Sequence, residues 1–103
     1  MKIQRIVCFK FKQGVSEEAI ARHMTDFAAM QAAIPQIRDY RGGRTCPGDN
    51  NRAPDFDAMH YLIFDNMDDI EIYRPHPAHQ NFISRNRESW EQVLVLNATI
   101  DLP

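Results

Sequence analysis

The order in which strand-like and helix-like hydrophobic patterns alternate along the chain restricts its fold more than any other feature. Apolar residues at every second position indicate strands, and apolar residues spaced three and four apart indicate helices. The predicted elements are a strand over 2–12, a helix over 16–34, strands over 36–46 and 58–66, a helical region over 67–90 and a strand over 91–102. This β-α-β-β-α-β order predicts an α+β, ferredoxin-like fold, with a four-stranded antiparallel sheet and helices on one face.

The first predicted helix has recognisable ends. Ser16 is a suitable N-cap, and Glu17 and Glu18 place negative charge where the helix dipole favours it. Pro35 disfavours a helical conformation at the residue before it, so we expect the helix to end there. The stripe expected to face the sheet consists of Ile20, Met24, Phe27, Ala28, Gln31 and Ile34. His23 lies outside that stripe, and we expect it at the surface or boundary of the helix.

Three of the four strand patterns carry apolar residues on both faces, as in IVCF (6–9), YLIF (61–64) and VLVL (93–96). A sheet covered by helices on one face only should alternate apolar and polar residues. The helices can cover one face, and the sequence contains no further element for the other. The pattern therefore predicts a homodimer in which a second copy covers the sheet, or a sheet curled around a ligand cavity, and both can hold together.

The second strand and the segment after it carry turn-forming residues. Gly42 and Gly43 indicate a bulge or a close approach of another group to the backbone. The polar segment 47–57 that follows is predicted to be either a hairpin connection or a mobile flap.

The segment YRPHPAHQNF, residues 73–82, breaks the second helical region in two. Pro75 stops the first part, and Pro77 suits the first turn of the next helix. His76 then lies at the N-cap, and His79 occupies the third helical position, where the helix dipole disfavours a positive charge. A neutral imidazole that faces an apolar interior can act as a general base.

Other roles for these histidines remain open. His79 could bond a backbone carbonyl and serve only to start the helix, whereas Tyr73 is placed to hydrogen-bond either His79 or a substrate oxygen. The spacing of His76 and His79, with His60 on the third strand, also raises the possibility of zinc. The two motif histidines diverge in direction, and no carboxylate or cysteine is placed to complete a tetrahedral shell. We therefore expect neither a metal nor another cofactor.

Bulk properties exclude several classes of function. The 103 residues suffice for a single domain, over 1–103, and the net charge of −2 gives no basic surface for nucleic acid. No apolar run approaches the roughly 18 to 20 residues of a membrane span. The N-terminus has no pattern of a signal peptide. Cys8 and Cys46 are the only cysteines and belong to no CxxC pair. Two free thiols favour a cytoplasmic protein.

Four segments of the chain resemble the stress-responsive A/B barrel domain family. They are IVCFKFKQGVSEEAI, AAIPQIRDYRGGR, YRPHPAHQNF and VLVLNATI, and the resemblance runs from about Ile3 to Ile100. The HPAH motif followed by a helix is its most specific part. The resemblance implies a homodimeric α+β barrel in which the two sheets face each other.

The resemblance also implies roles for individual residues. In cofactor-free polyketide cyclases of this family, which act by aldol condensation, a histidine matching His79 is the base and a tyrosine matching Tyr73 assists it. Other pocket positions differ, because this chain has Arg5, Phe27 and Ala58 where such a cyclase has His, Tyr and His. His60 lies on the same strand face as Ala58 and can supply a polar group. Candidate substrate-binding residues are His60, Phe27, Phe82, Trp90 and Arg5.

Three functions compete at this point. The first is a cofactor-independent cyclase or isomerase that binds a small apolar or carbonyl-containing molecule and uses His79 as base and Tyr73 as hydrogen-bond partner. Its cavity would be lined by Phe9, Phe27, Met59 or His60, Phe82 and Trp90. The second is a non-catalytic dimeric binding or stress-related protein in which HPAH only begins a helix. The third is a cofactor-free oxygenase, for which the sequence offers no specific feature.

Overall fold

A computed structural model describes residues 2–46 and 55–101 of the chain. Its elements are β1 (Ile3–Phe11), α1 (Glu17–Ala33), β2 (Asp39–Arg44), β3 (Ala58–Phe64), α2 (Met67–Tyr73), α3 (Pro77–Asn86) and β4 (Trp90–Thr99). The strands form one antiparallel sheet in the order β2-β3-β1-β4. The predicted ferredoxin-like order is confirmed, with helices packed on one face. Most of the predicted 47–57 loop, residues 47–54, lies outside the described residues.

The two faces of the sheet are set by β1, whose buried and half-buried residues alternate. Val7 and Phe9 are buried against the helices, and we call this side the inner face. Directly opposed residues of antiparallel strands share a face. Because His60 is paired with Val7 and Ala58 with Phe9, both lie on the inner face, as their common spacing predicted. Met59 lies on the outer face and is 48% exposed.

Helix α1 begins as predicted but presents a different stripe to the sheet. The Ser16 hydroxyl accepts a hydrogen bond from the Ala19 N–H at 3.1 Å. The helix ends at Ala33, one residue earlier than predicted, with Ile34 as its C-cap. Its buried residues are Ile20, His23, Phe27 and Met30. The prediction that His23 is a surface or boundary residue was wrong. Its spacing from Ile20 and Phe27 places it at the centre of the inward stripe, and other polar rings supply its hydrogen bonds.

The HPAH segment has the geometry that its prolines predict. Asn66 caps α2 by accepting from the Asp69 N–H at 2.8 Å. His76 is the N-cap of α3, and its Nδ1 accepts from the Ala78 N–H at 3.0 Å, while Pro77 is the first helical residue. Helix α3 is shorter than predicted, because a 3-10 turn over Arg87–Ser89 follows it and Trp90 already belongs to β4.

Strand β4 is exposed on both of its faces. Its register with β1 puts Val93 and Val95 on the inner face, yet they are 43% and 40% exposed because the helices leave this edge uncovered. Leu94 and Leu96 lie on the outer face and are 38% and 58% exposed. The apolar character of both faces, noted in the sequence, is therefore concentrated at this edge of the sheet.

Candidate functional site

His79, Tyr73 and Arg5 meet between the sheet and the junction of α2 and α3. The His79 and Tyr73 ring centroids are 4.2 Å apart with 31° between the ring planes. The guanidinium carbon of Arg5 lies 5.7 Å from the centroid of the Tyr73 ring. Arg5 also donates from Nη1 to the Asn97 side-chain oxygen at 3.0 Å. We call these four residues the His79 cluster.

The hydrogen bond of His79 fixes which of its ring nitrogens can accept a proton. Nδ1 lies 2.8 Å from the Arg74 carbonyl oxygen, and a carbonyl can only accept, so Nδ1 carries the hydrogen. In the neutral ring, Nε2 then carries a lone pair. This tautomer is the one in which Nε2 can act as a general base.

Burial is the main cause that lowers the pKa of His79 below its ordinary value of 6.5. The nearby positive charges of Arg5 and Arg74 and the His76 ring lower the pKa further, whereas the hydrogen bond to the Arg74 carbonyl acts in the opposite direction. The ring is therefore mostly neutral at pH 7. Its pKa is displaced in the direction that keeps the lone pair of Nε2 available.

Tyr73 supplies a phenol hydroxyl at the same place. Its side chain is 1% exposed and packs edge-on against Phe64, with ring centroids 5.2 Å apart. Burial raises the pKa of Tyr73 to about 12, although Arg5 and Arg74 favour the ionised form. The phenol consequently keeps its proton at neutral pH and can donate it to an oxygen that gains negative charge.

A second polar group, which we call the histidine chain, crosses the interior between β4 and β2. Trp90 Nε1 donates to His23 Nδ1 at 3.0 Å, His23 Nε2 lies 3.0 Å from His60 Nε2, and His60 Nδ1 lies 2.8 Å from the Tyr40 hydroxyl. Both histidines are fully buried.

The direction of every hydrogen bond in this chain follows from Trp90, because an indole nitrogen can only donate. His23 Nδ1 must therefore accept, so neutral His23 carries its hydrogen on Nε2 and donates it to His60 Nε2. His60 then carries its hydrogen on Nδ1 and donates it to the Tyr40 oxygen. An added proton on either ring would set two N–H groups against each other somewhere along the chain.

The pKa values of both histidines are lowered, in agreement with this arrangement. Burial lowers the pKa of His23 to about 4, despite the opposing influence of Asp26. Burial, followed by repulsion from His23, lowers the pKa of His60 to about 3. Both rings of the histidine chain are accordingly neutral over the range of pH in which most proteins work.

The aromatic residues predicted to line a cavity pack against one another around the histidine chain. Phe27 stacks on His60 with ring centroids 3.7 Å apart and 2° between the planes. Phe82 lies 5.0 Å from Phe27 and 5.4 Å from Trp90. The predicted site residues thus form two groups: Arg5 with Tyr73 and His79, and His60 with Phe27, Phe82 and Trp90.

Gly42 allows the histidine chain to reach β2. A Cβ at this position would lie 2.7 Å from Tyr40 Cζ and 2.9 Å from His60 Nδ1, and closer still to the Tyr40 hydroxyl oxygen. At Gly43 a Cβ would meet nothing within 4 Å. Of the two predicted explanations, a close approach to the backbone therefore accounts for Gly42.

The described residues contain no group of three or more His, Cys, Asp or Glu side chains placed to hold a metal ion. Within the same residues, no helix is long and apolar enough to cross a membrane.

Comparison with protein families adds to this geometry. The model of the stress responsive A/B barrel domain, abbreviated Dabb, matches residues 3–100. The chain belongs to the Dabb family. Olivetolic acid cyclase from Cannabis sativa is a relative, 23% identical over 99 residues that cover 96% of this chain and 97% of the cyclase.

Solved structures share the fold of this Dabb chain. A hydroxynitrile lyase from Passiflora edulis superimposes with a TM-score of 0.86 and 22% identity, covering 97% of this chain and 94% of the lyase. A protein of unknown function from Bacteroides fragilis, described as dimeric and ferredoxin-like, gives a TM-score of 0.77 with 25% identity and 96% of each chain covered. A dimeric ferredoxin-like protein from Thermobifida fusca gives 0.83 with 19% identity, covering 97% of this chain and 92% of that one.

Two members of the histidine chain were missed in the sequence. His23 was predicted at the surface, and Tyr40 was not among the candidates, because no local pattern connects α1 with β2. One signal was available for His23: it lies three residues after Ile20 and four before Phe27, which is the spacing of one helix face. Nothing comparable pointed to Tyr40, although Gly42, two residues later, indicated a close approach.

Proposed function

We propose that this Dabb protein is a cofactor-independent enzyme that abstracts a proton from a carbon next to a carbonyl group. His79 Nε2 takes the proton, the C–H electron pair forms an enolate, and the Tyr73 hydroxyl donates a hydrogen bond to the enolate oxygen. Return of the proton from His79 to another carbon of a delocalised enolate gives an isomerase. Attack of the enolate carbon on a second carbonyl, whose oxygen then takes the proton from His79, gives a cyclase. The tautomer of His79 carries the proposal, because Nδ1–H is held by the Arg74 carbonyl and Nε2 is left basic.

The assembled form of this enzyme is proposed to be a homodimer. A second copy would cover the outer face of the sheet, where Met59, Leu94 and Leu96 are exposed. An apolar depression of about 530 Å³ beside Met59 and Tyr61 offers space for side chains of that copy. Burial of such apolar surface is the main driving force for association, and related structures are described as dimeric. The two free cysteines suit a cytoplasmic location.

Deuterium exchange tests the proposed chemistry with a simple ketone in place of the natural substrate. The probe is methyl 4-oxopentanoate in D2O, and proton NMR measures the loss of the signals next to its ketone. We expect the protein to accelerate this loss, and His79→Gln to reduce the acceleration by about 10²- to 10⁴-fold, the usual contribution of a general base. Tyr73→Phe should reduce it by about 10²-fold, because one hydrogen bond to the oxyanion is removed.

His76→Asn is the matched control for these variants. It changes the other histidine of the motif, and asparagine is a good N-cap, so α3 should keep its start. Exchange by this variant should remain close to that of the unaltered protein. Equal rates for His79→Gln and the unaltered protein would contradict the proposed role of His79.

A non-catalytic binding protein is the second candidate function. The packed aromatic rings around His60 and the backbone bond of His79 favour it, because both features stabilise the fold without any reaction. The same exchange experiment separates the two functions. No acceleration for any ketone probe, with dimer and fold intact, would favour the binding protein.

A further inference from the structure

Arg5 is a buried cation without a carboxylate partner among the described residues. It lies on the inner face of β1 and is 8% exposed, and its Nε is buried with no hydrogen-bond partner. Its Nη1 donates to the neutral side-chain oxygen of Asn97, and the Tyr73 phenol beside it keeps its proton. None of the described carboxylates forms a salt bridge with it. The acidic residue that acts on it electrostatically is Glu71, which is exposed and paired with Arg74 at 3.5 Å.

Such an arrangement is unfavourable unless another group completes it. A buried charge that lacks an opposite charge loses its hydration without compensation, and arginine is rarely left in this state. The guanidinium presents N–H groups in a planar fork that matches a carboxylate. The Nε–H group that has no partner is one of these planar donors.

The surroundings of Arg5 leave an approach for a small molecule. Asn97, its partner on the inner face of β4, is exposed, as is Val95 two residues earlier. The Tyr73 ring lies next to the guanidinium, and the His79 ring lies next to Tyr73. A ligand that lies over the inner face of β4 can therefore meet Arg5 at one end and the His79 ring at the other.

We propose that Arg5 is the carboxylate-binding residue of this site, so that the substrate is a carbonyl compound bearing a carboxylate group. The inference rests on the proposed function for the role of His79, but the anion subsite is defined by Arg5 and Asn97 alone. A substrate of this class places its carboxylate on the Arg5 fork and its acidic C–H towards His79 Nε2. The carboxylate also neutralises the buried charge, which gives selectivity against neutral analogues of the same shape.

The binding experiment compares two probes that differ mainly in charge: 4-oxopentanoate and its methyl ester. The nitrogen and proton signals of Arg5 Nε–H and of the His79 ring report binding by NMR. We expect the acid to bind at least tenfold more tightly than the ester and to move the Arg5 Nε–H signal. An ester that binds as tightly as the acid in the unaltered protein overturns the proposal, as does an acid that leaves the Arg5 signal unchanged.

Substitution of Arg5 gives an independent arm. Arg5→Met should lose the preference for the acid, so that the acid and the ester bind with similar affinities. Arg5→Lys should keep part of the preference, because the charge remains without the planar guanidinium. Replacement of an uncompensated buried charge by an apolar side chain of similar length is expected to preserve the fold. Retention of the full preference for the acid by Arg5→Met contradicts the proposal.

Failure of this inference and failure of the proposed function give different results. If the acid binds at Arg5 but neither probe exchanges deuterium, the anion subsite stands and the proposed chemistry fails. If the ester exchanges in a His79-dependent manner but Arg5 gives the acid no higher affinity than the ester, the chemistry stands and the anion subsite fails.

Discussion

Burial and two neighbouring guanidinium groups act in the same direction on the imidazole of His79. All of them lower its pKa, and the base is needed in its neutral form. We therefore expect the rate of deuterium exchange to fall on the acid side with a midpoint below pH 6.5. Measurement of the exchange of the neutral ester between pH 4.5 and 8 gives this midpoint.

The Arg5 variants separate the effect of the Arg5 charge on the pKa of His79 from the effect of burial. Arg5→Met removes a cation that disfavours protonated His79, so the midpoint should move to higher pH, towards 6.5. Arg5→Lys keeps the charge and is the control whose midpoint should stay close to that of the unaltered protein. A midpoint that stays unchanged or moves to lower pH in Arg5→Met would contradict the action of the Arg5 charge on His79.

The histidine chain links acidity to the stability of the fold. In the unfolded chain both rings bind protons near pH 6.5, but in the folded protein the pKa of His23 is about 4 and that of His60 about 3. Stability from this pair is thus complete above pH 6.5 and is lost as the pH falls towards 4. Urea unfolding at pH 7.5, 6.0, 5.0 and 4.5 should give a falling free energy of unfolding.

Trp90→Phe supplies the matched variant for this measurement. Phenylalanine keeps an aromatic ring against Phe9 and Phe82 but has no N–H, so His23 Nδ1 becomes free to take a proton. The variant should be less stable at pH 7.5, and its stability should fall less steeply on acidification. A free energy of unfolding that increases as the pH is lowered from 7 to 5 in the unaltered protein would contradict the assigned directions of these hydrogen bonds.

At the scale of the elements, β2 depends on the absence of one side chain. Gly42→Ala places a methyl group where Tyr40 and His60 meet, and overpacking of this kind costs about 1–3 kcal/mol. Gly43→Ala is the matched control on the next position of the same strand, where the added methyl meets nothing. We expect thermal unfolding to show a lower melting temperature for Gly42→Ala and no loss for Gly43→Ala. Equal stability of the two variants would contradict the close approach.

The elements that the sequence predicted well are those whose signals are local. Ser16, Asn66 and His76 each cap a helix through a bond within three residues, and such a bond can be read from a short window. The histidine chain could not be read in this way, since its members come from α1, β2, β3 and the start of β4. A polar residue such as His23 is assigned to the surface whenever its partners are distant in sequence. The charge of Arg5 is evident in the sequence, but that no carboxylate of residues 2–46 and 55–101 pairs with it emerges only from the fold.

At the scale of the whole molecule, exposed apolar side chains on the sheet argue for association. Leu96 lies on the outer face of β4 and is 58% exposed. Leu96→Asp would bury an unpaired carboxylate in the proposed interface. The free energy of its desolvation would oppose association of the two copies. We expect this variant to sediment as a monomer at concentrations where the unaltered protein sediments as a dimer.

Ile72→Asp is the control for this prediction. Ile72 lies on α2 and is 48% exposed, so the same substitution there adds the same charge away from the sheet. It should leave the sedimentation of the dimer unchanged. Sedimentation of Leu96→Asp as a dimer would place the interface elsewhere.

The position of Arg5 beside His79 has a consequence for the timing of the reaction. The cation that would hold the substrate also weakens the base while the site is empty. In the proposed complex a bound carboxylate would offset that cation, and the pKa of His79 would rise only when an acid of the right kind occupies the site. The protein would then keep a weak base in the resting state and a stronger one in the complex, which limits unproductive proton abstraction from neutral molecules that enter by chance.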